Sequence, residues 1–303
     1  MVQFKTSKAS LTVIPEFSGL IADLQLFNGD STIAIMDSYQ SVDDLAAKNG
    51  YKSHYLLPFP NRMKDGKYDF EGKSYQFPVN DTQTNNNLHG FLETIPMEII
   101  DNKMIGNQRV VTLKGDFDGF DYFPFPFEFI LKYFLSNSDL TIESTIKNVG
   151  KTNMPIGYGW HPYFKLDTEK VNDLSLQFPD CEAVIIDDRM MPTGEMQPYF
   201  AFSELTKIDQ TTLDNCFFIN KEKNKGKKIN YAEIILKSET TTLSVWQEIG
   251  ENACNYFQVY TPENRKTIAI EPMTCNIDAF NNQNDLWVLE VGEERTVRFG
   301  VRV

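Results

Sequence analysis

The stretch Asp139–Val149, D-L-T-I-E-S-T-I-K-N-V, decides the fold of this chain. Leu140, Ile142 and Ile146 fall on one face of an extended backbone, and the residues between them are mostly polar: Thr141, Glu143, Thr145 and Lys147. Alternation with a period of two residues is typical of a strand that buries one face. The stretch therefore predicts a half-buried β-strand.

Similar short segments, rich in β-branched or aromatic residues and bounded by Gly, Asn, Asp or Pro, recur along the chain. They are Arg109–Lys114, Phe125–Leu135, Ala183–Asp187, Glu233–Lys237, Thr242–Gln247, Tyr256–Tyr260, Thr267–Glu271, Trp287–Val291 and Thr296–Val303. Only Ser41–Asn49 has helical character, with Ser41 as its cap and Gly50 as its end. Many strands with almost no helix between them predict an all-β fold, an antiparallel sandwich or barrel.

The chain has 303 residues, of which 41 % are hydrophobic, enough to build a core without disulfides or metals. A length prior of about 150 residues per domain suggests two domains, but no linker rich in Pro, Ser or Gly divides the chain. No repeat of about 20–50 residues is visible either. We therefore expect one domain over residues 1–303.

The net charge of −13 disfavours binding to nucleic acid and to anionic membrane surfaces. The amino terminus lacks the apolar run of a signal peptide, and no stretch has the roughly 18 apolar residues of a membrane span. The four cysteines form no C-x-x-C pair, which predicts reduced, buried thiols and no structural zinc site. We expect a cytoplasmic protein.

No G-x-G-x-x-G, Walker, H-E-x-x-H or G-x-S-x-G motif is present, so nucleotide cofactors and serine-hydrolase chemistry have no local support. The one charge run, Lys221–Lys228, contains five lysines. It is interpreted as a solvated hairpin tip, with a phosphate-binding loop as the alternative.

Glu271 ends an apolar strand in the segment Ile268–Met273. Ile268 and Ile270 should face one side of the strand and Glu271 the other. Because Pro272 cannot donate a ladder hydrogen bond, we expect the strand to fray or bulge at the acid. A carboxylate at such a place is partly desolvated, which raises its pKa and makes it a better base near neutrality. An ordinary solvent-facing strand end is the alternative.

His161 lies among aromatic residues and glycines in the segment Gly157–Phe164. An imidazole gives or takes protons near neutral pH, so His161 is either a catalytic residue or a satisfied core histidine. His89, in Asn87-Leu88-His89-Gly90, belongs either to a site or to a structural turn. His54 has no supporting context.

Arg62 and Asp214 fit a site for a polar ligand, and each is alternatively a turn or surface charge. Two histidines with Glu271 and Asp214 also form a plausible ligand set for a metal ion. His89 and His161 are far apart in sequence without paired ligand spacing, so we expect no metal. A glycosidase with Glu271 and Asp214 as its paired carboxylates would leave both histidines without a role.

Taken together, these motifs resemble those of the aldose 1-epimerases (galactose mutarotases), in the same order and over nearly the whole chain. The motifs are Asn61-Arg62 with Gly66-x-x-x-x-x-Gly72-Lys73, Asn87-x-His89-Gly90, His161-Pro162-Tyr163-Phe164, Leu213-Asp214-Asn215-Cys216-Phe217 and Glu271-Pro272. The resemblance implies an all-β fold with very little helix, a large antiparallel β-sandwich of the galactose mutarotase type.

The resemblance further implies an isomerase that interconverts the α and β anomers of a free aldohexose such as glucose or galactose, without a cofactor. Glu271 would be the general base and His161 the general acid, and both pKa values should lie near neutrality. Arg62, Asn87, His89 and Asp214 would bind the monosaccharide. Trp160 and Tyr163 either stack on the sugar or pack in the core. Monomer and dimer both remain open.

Three departures from the family pattern affect the pocket: Phe91 replaces a second glycine, Lys165 stands where Asn often follows Tyr-Phe, and Pro272-Met273 follows Glu271. They leave three alternatives open. One is a hexose-6-phosphate 1-epimerase, which the acidic net charge disfavours. The others are a non-catalytic carbohydrate-binding protein and a domain associated with a glycan-processing enzyme, since fold does not fix function.

Overall fold

A computed structural model describes residues 1–39, 41–219 and 230–303, and within them the chain is mostly β-strand. The first half contains β1 (Val2–Lys5), β2 (Ser10–Ile14), β3 (Leu20–Phe27), β4 (Thr32–Ala34), β5 (Met36–Asp37), β6 (His54–Leu56), β7 (Arg62–Lys64), β8 (Lys67–Phe70), β9 (Lys73–Gln76), β10 (Asn86–Leu88), β11 (Glu98–Ile105), β12 (Gln108–Phe117), β13 (Phe127–Leu135) and β14 (Asp139–Asn148). The second half contains β15 (Met154–Ile156), β16 (Gly159–His161), β17 (Tyr163–Phe164), β18 (Ser175–Gln177), β19 (Cys181–Ile186), β20 (Pro192–Pro198), β21 (Thr206–Lys207), β22 (Asp214–Ile219), β23 (Tyr231–Lys237), β24 (Thr242–Glu248), β25 (Tyr256–Tyr260), β26 (Ile268–Met273), β27 (Trp287–Leu289) and β28 (Glu294–Arg302).

Helices are few and short in the described residues: α1 (Val42–Ala46), α2 (Ala279–Asn282) and the 3₁₀ turns Pro15–Phe17, Asn49–Tyr51, Leu92–Thr94 and Val171–Asp173. Helix α1 begins after Ser41, whose Oγ accepts a hydrogen bond from Asp44 N at 3.0 Å. The cap is therefore as the sequence predicts. The helix ends before Gly50 because Lys48 already has the left-handed φ of 52°.

Two nine-stranded sheets make up most of the fold. Sheet I has the strand order β11-β12-β13-β14-β28-β24-β23-β18-β21. Sheet II has the order β20-β19-β22-β25-β26-β16-β6, with β17 and β5 attached beside β26. Neighbouring strands at the centre of each sheet are antiparallel. A four-stranded sheet, β1-β2-β3-β4, and the pairs β7-β10, β8-β9 and β15-β27 complete the fold.

The two large sheets face one another across a shared apolar core, as a β-sandwich does. Trp160 of sheet II stacks on Phe299 of sheet I with ring centroids 5.7 Å apart. Tyr55 of sheet II shares a hydrogen bond of 2.7 Å with Tyr133 of sheet I. The predicted all-β antiparallel sandwich is therefore confirmed, and Trp160 packs in the core.

Strand β26 runs through Pro272 to Met273 and pairs with β25 without a register shift, with Gln258 opposite Glu271. The expected fraying at the acid is therefore wrong: a proline lacks only one backbone donor, and the rest of the ladder keeps the strand in place. All four cysteines lie buried with free thiols.

The lysine run Lys221–Lys228 lies outside the described residues, so both of its interpretations stay predictions. Among the residues that are described, no helix combines the length and apolar character needed to span a bilayer.

Candidate active site

The outer face of sheet II, turned away from sheet I, carries a polar cluster at its centre. Alternation along β16 directs Trp160 into the core and His161 outward. In β26 it directs Ile268 and Ile270 into the core and leaves Glu271 on the same outer face as His161. The two sequence-predicted catalytic residues therefore meet.

His161 Nε2 lies 3.4 Å from Glu271 Oε1, and both side chains are almost completely buried, at 8 % and 1 % exposure. Glu271 Oε2 and His161 Nδ1 are buried without a hydrogen-bond partner among the described residues. Buried polar atoms are nearly always hydrogen-bonded in folded proteins, so two such atoms at one place indicate a site for a ligand.

Burial shifts the two groups of this pair in opposite directions. It raises the pKa of Glu271 well above its usual value; the nearby Asp214 raises it further, and Arg62 partly opposes this. Burial lowers the pKa of His161 to about 3. Both shifts favour the uncharged forms. The expectation that both pKa values lie near neutrality is therefore wrong for His161.

Asp214, at the start of β22, is held by an amide network. Its Oδ1 accepts a hydrogen bond from Gln258 Nε2 at 2.8 Å, and Gln258 Oε1 accepts one from Asn61 Nδ2 at 3.1 Å. Burial raises the pKa of Asp214, while Arg62 and Gln258 lower it in part. The network fixes a carboxylate next to Glu271, which disfavours charge on either group.

Arg62 opens β7 and supplies the cation of the site. Its Nε donates to Asp81 Oδ2 at 2.9 Å, and its Nη1 approaches Asn61 Oδ1 at 3.5 Å. Burial raises the pKa of Asp81, but hydrogen bonds from Thr84 and Arg62 outweigh this and keep it lowered. Asp81 therefore stays ionised and orients the guanidinium.

His89 follows β10 in a left-handed turn, with φ of 68°. Its Nδ1 accepts a hydrogen bond from Asn61 N at 3.1 Å, so the neutral ring carries its proton on Nε2. Burial, and the neighbouring His161 and Arg62, lower its pKa well below the usual value. Gly90 is required here because its φ is +68° and a Cβ would lie 2.3 Å from Leu57 O. The turn thus presents a neutral hydrogen-bond donor.

A cavity of about 290 Å³ joins these groups. Its lining includes five of the sequence-predicted residues: Arg62, His89, His161, Asp214 and Glu271. Ligand pockets typically begin near this volume, so the cavity fits a small ligand. Tyr163 also lines it and stacks on His161 with centroids 5.1 Å apart.

Asn87 is the predicted binding residue that the structure does not bring to the cavity. It pairs with Met63, whereas its neighbour Leu88 pairs with Arg62 on the face that lines the cavity. Alternation therefore turns Asn87 to the buried side, where its Nδ2 donates to Pro78 O at 2.7 Å.

His54, which had no assigned role, lies beside the cavity wall. It pairs with His161 across β6 and β16, and its Nε2 shares a hydrogen bond of 2.8 Å with Tyr39 OH. Tyr51 packs edge-on against both His54 and His89. Burial lowers the pKa of His54 to about 3. All three histidines of the chain are thus buried within one cluster.

The sequence predicted no site role for several lining residues: Asn61, Tyr51, Gln258 and Tyr260. Gln258 carried a usable signal, because an amide interrupts the otherwise apolar strand Y-F-Q-V-Y. Within the described ranges, no group of three or more His, Cys, Asp or Glu side chains is arranged to hold a metal ion.

Comparison with known proteins adds a family assignment. A family model described as aldose 1-epimerase matches residues 1–302. The uncharacterized protein YihR of Escherichia coli K12 is 27 % identical over 254 residues, which cover 81 % of this chain and 77 % of that protein.

Two solved structures resemble the fold closely. A galactose mutarotase-like protein from Clostridium acetobutylicum superposes with a TM-score of 0.85 at 20 % identity, covering 99 % of this chain and 93 % of its own. A GalM/aldose epimerase homologue from Caenorhabditis elegans gives a TM-score of 0.82 at 18 % identity, with coverage of 99 % and 97 %. At these identities the likeness establishes the fold.

Proposed function

We propose, since this chain belongs to the aldose 1-epimerase family, that it is a mutarotase for a free aldohexose such as glucose or galactose. Interconversion of α and β anomers requires removal of the proton from the C1 hydroxyl and protonation of the ring oxygen. The bond between C1 and the ring oxygen then breaks, and the resulting aldehyde turns about the C1–C2 bond. The ring closes on the other face of the carbonyl.

Glu271 removes the proton from the C1 hydroxyl, and His161 protonates the ring oxygen. In the closing step the roles reverse: His161 takes the proton from the attacking hydroxyl, and Glu271 returns a proton to the carbonyl oxygen. The two groups end in their starting states, so the cycle balances with protons alone and uses no cofactor. Their separation of 3.4 Å supports this division of roles, because the two reacting oxygens of a pyranose are both bonded to C1.

Binding of the sugar sets the protonation state of the pair. A hydroxyl that donates to Glu271 Oε2, which lacks a partner among the described residues, favours the carboxylate. Arg62 acts in the same direction, since it lowers the pKa of Glu271. A carboxylate at 3.4 Å in turn favours the imidazolium form of His161. The charged pair thus forms when a sugar is in place.

The remaining polar groups hold the ring. Arg62 and the Nε2–H of His89 donate hydrogen bonds, while Asp214 accepts them from sugar hydroxyls. Tyr163 covers one apolar face of the pyranose. The observation that carries the proposal is the buried pair of Glu271 and His161, with an unpartnered atom on each side chain within the described residues.

Polarimetry tests the proposal. Freshly dissolved α-glucose and α-galactose should lose optical rotation faster with the protein than in buffer, and Glu271→Gln should lower this acceleration about 10²–10⁴-fold. Full activity of Glu271→Gln would contradict the assigned base. Saturable sugar binding without any acceleration would instead support a non-catalytic carbohydrate-binding protein.

A further inference from the structure

A second cavity of about 480 Å³ adjoins the site. The two cavities share the wall residues Gly50, Tyr163 and Tyr260. The two cavities therefore meet at a wall that contains Tyr163. Nothing in the anomer exchange described above uses this second space.

The charge of the second cavity differs from that of the rest of the molecule. Its lining contains Lys52, Lys165 and Lys266 and one carboxylate, Asp37. The amides of Asn49 and Asn264 add further hydrogen-bond donors. A local excess of cations on a chain with a net charge of −13 indicates a place for a negative group.

The lysines are only partly neutralised. Asp37 lies 2.9 Å from Lys52 Nζ and 3.9 Å from Lys165 Nζ. No ion pair involves Lys266 within residues 1–39, 41–219 and 230–303. At least one ammonium group is thus available to an incoming anion.

The position of the second cavity indicates which part of a sugar would reach it. Tyr163, in the shared wall, stacks on His161 at 5.1 Å. A pyranose whose ring oxygen faces His161 can direct its exocyclic carbon, which is bonded to the ring carbon next to that oxygen, toward Tyr163. A substituent on this carbon then points toward the lysines.

We propose that the second cavity binds a negatively charged substituent, a phosphate or a carboxylate, on the exocyclic carbon of the aldose held in the first cavity. This inference rests on the proposed function and extends its substrates from free aldohexoses to aldoses with an anionic group on the exocyclic carbon. It makes Lys165 and Lys266 specificity-determining residues, and Lys165 is one of the departures from the family pattern.

Exchange NMR of the anomeric protons measures the effect for glucose, glucose 6-phosphate and glucuronate under the same conditions. We expect kcat/KM to be higher for at least one charged sugar than for glucose. Comparison of glucose 6-phosphate with glucuronate identifies whether the cavity accepts a phosphate or a carboxylate.

Variants then locate the effect. Lys165→Gln/Lys266→Gln should lower the ratio of kcat/KM for the preferred charged sugar to that for glucose about tenfold, as expected for two partly exposed charge contacts. Asp37→Asn, which frees two lysines, should raise this ratio. Lys237→Gln removes an exposed lysine outside both cavities and serves as the matched control.

Acceleration of glucose exchange with no preference for either charged sugar would overturn this inference and leave the proposed function intact. A charged-sugar preference that survives in the double lysine variant would overturn the assignment to this cavity. No acceleration for any of the three sugars would overturn the proposed function together with the inference.

Discussion

Glu143 and Glu271 are buried carboxylates on the outer faces of the two large sheets, and their surroundings are opposite. In sheet I, Glu143 accepts hydrogen bonds from Lys132 Nζ at 2.9 Å and from Arg298 Nη2 at 2.6 Å. Burial raises its pKa, but these two cations outweigh burial and keep it lowered. In sheet II, Glu271 Oε2 has no partner within the described parts of the chain, and its pKa is raised.

The difference shows what each face does. A carboxylate flanked by cations on the neighbouring strands stabilises the sheet, and its oxygens already accept hydrogen bonds from those cations. It is therefore not available to a ligand. A buried carboxylate without such partners destabilises the fold and remains available for proton transfer. Under the proposed function, sheet I supports the sandwich and the outer face of sheet II carries the site.

The largest effect is expected from the pair of Glu271 and His161. Glu271→Gln and His161→Gln should each lower kcat/KM for glucose anomer exchange about 10²–10⁴-fold. Because the two groups act on one proton cycle, the double variant should lose little more than either single variant. Polarimetry measures these rates. A loss in the double variant equal to the product of the two single-variant losses would show that the residues act independently.

Two buried glutamines extend the comparison of the sheets. Gln258 of sheet II donates to Asp214, while Gln247 of sheet I donates to Cys254 O at 3.0 Å. Gln258→Leu should lower kcat/KM about tenfold, since one hydrogen bond to a charged group is lost. Gln247→Leu, as the control, should change stability by about 1–3 kcal/mol and leave kcat/KM unchanged. Equal kinetic effects of both variants would contradict the division between the faces.

Stability at acid pH tests the buried histidine cluster. The folded pKa values of His54 and His161 are about 3, below the usual 6.5. The unfolded chain therefore binds protons that the folded chain does not, so stability is complete above about pH 6.5 and falls as pH falls toward 3. Each histidine contributes up to about 1.4 kcal/mol per pH unit in this window.

Urea unfolding of the wild type and His54→Gln at pH 7, 6 and 5 measures this slope. The variant should lose stability less steeply on acidification, by up to about 1.4 kcal/mol per pH unit. Because both proteins contain the same carboxylates, the difference between the two slopes of stability against pH reports the contribution of His54. Parallel slopes would show that His54 is not buried in its neutral form.

The smallest effect is expected at Asn87. Since its amide donates to Pro78 O and does not line the cavity, Asn87→Ala should destabilise the fold by about 1 kcal/mol. Thermal unfolding measures this change, and kcat/KM should stay within about twofold. A large rise in KM would instead support the contact between Asn87 and the sugar that the sequence motif predicts.

Much of the fold could be predicted because its long strands alternate strictly. The segment Asp139–Val149 matches β14 to within one residue, and Tyr256–Tyr260 matches β25 completely. The two-residue strands β5 and β17 are too short to carry such a period, and their pairing depends on contacts distant in sequence.

The site was harder to predict in its details than in its position. Asn87 illustrates the reason: a step of one residue along a strand changes the face, and the motif alone does not fix that face. Gln258 illustrates a second reason. It lies opposite Glu271 only because β25 pairs with β26, and the sequence alone does not fix which strands pair. The single-domain organisation stays a prediction.

The most direct test of the contrast between the sheets compares Glu143→Gln with Glu271→Gln in two assays, glucose anomer exchange and thermal unfolding at pH 8. Glu271→Gln should lose its catalytic acceleration and unfold at a higher temperature than the wild type, because the raised pKa makes the carboxylate costly as pH rises. Glu143→Gln should keep full activity and unfold at a lower temperature, because Lys132 and Arg298 lose their anionic partner. Loss of activity in Glu143→Gln, or full activity in Glu271→Gln, would contradict the assignment of chemistry to sheet II.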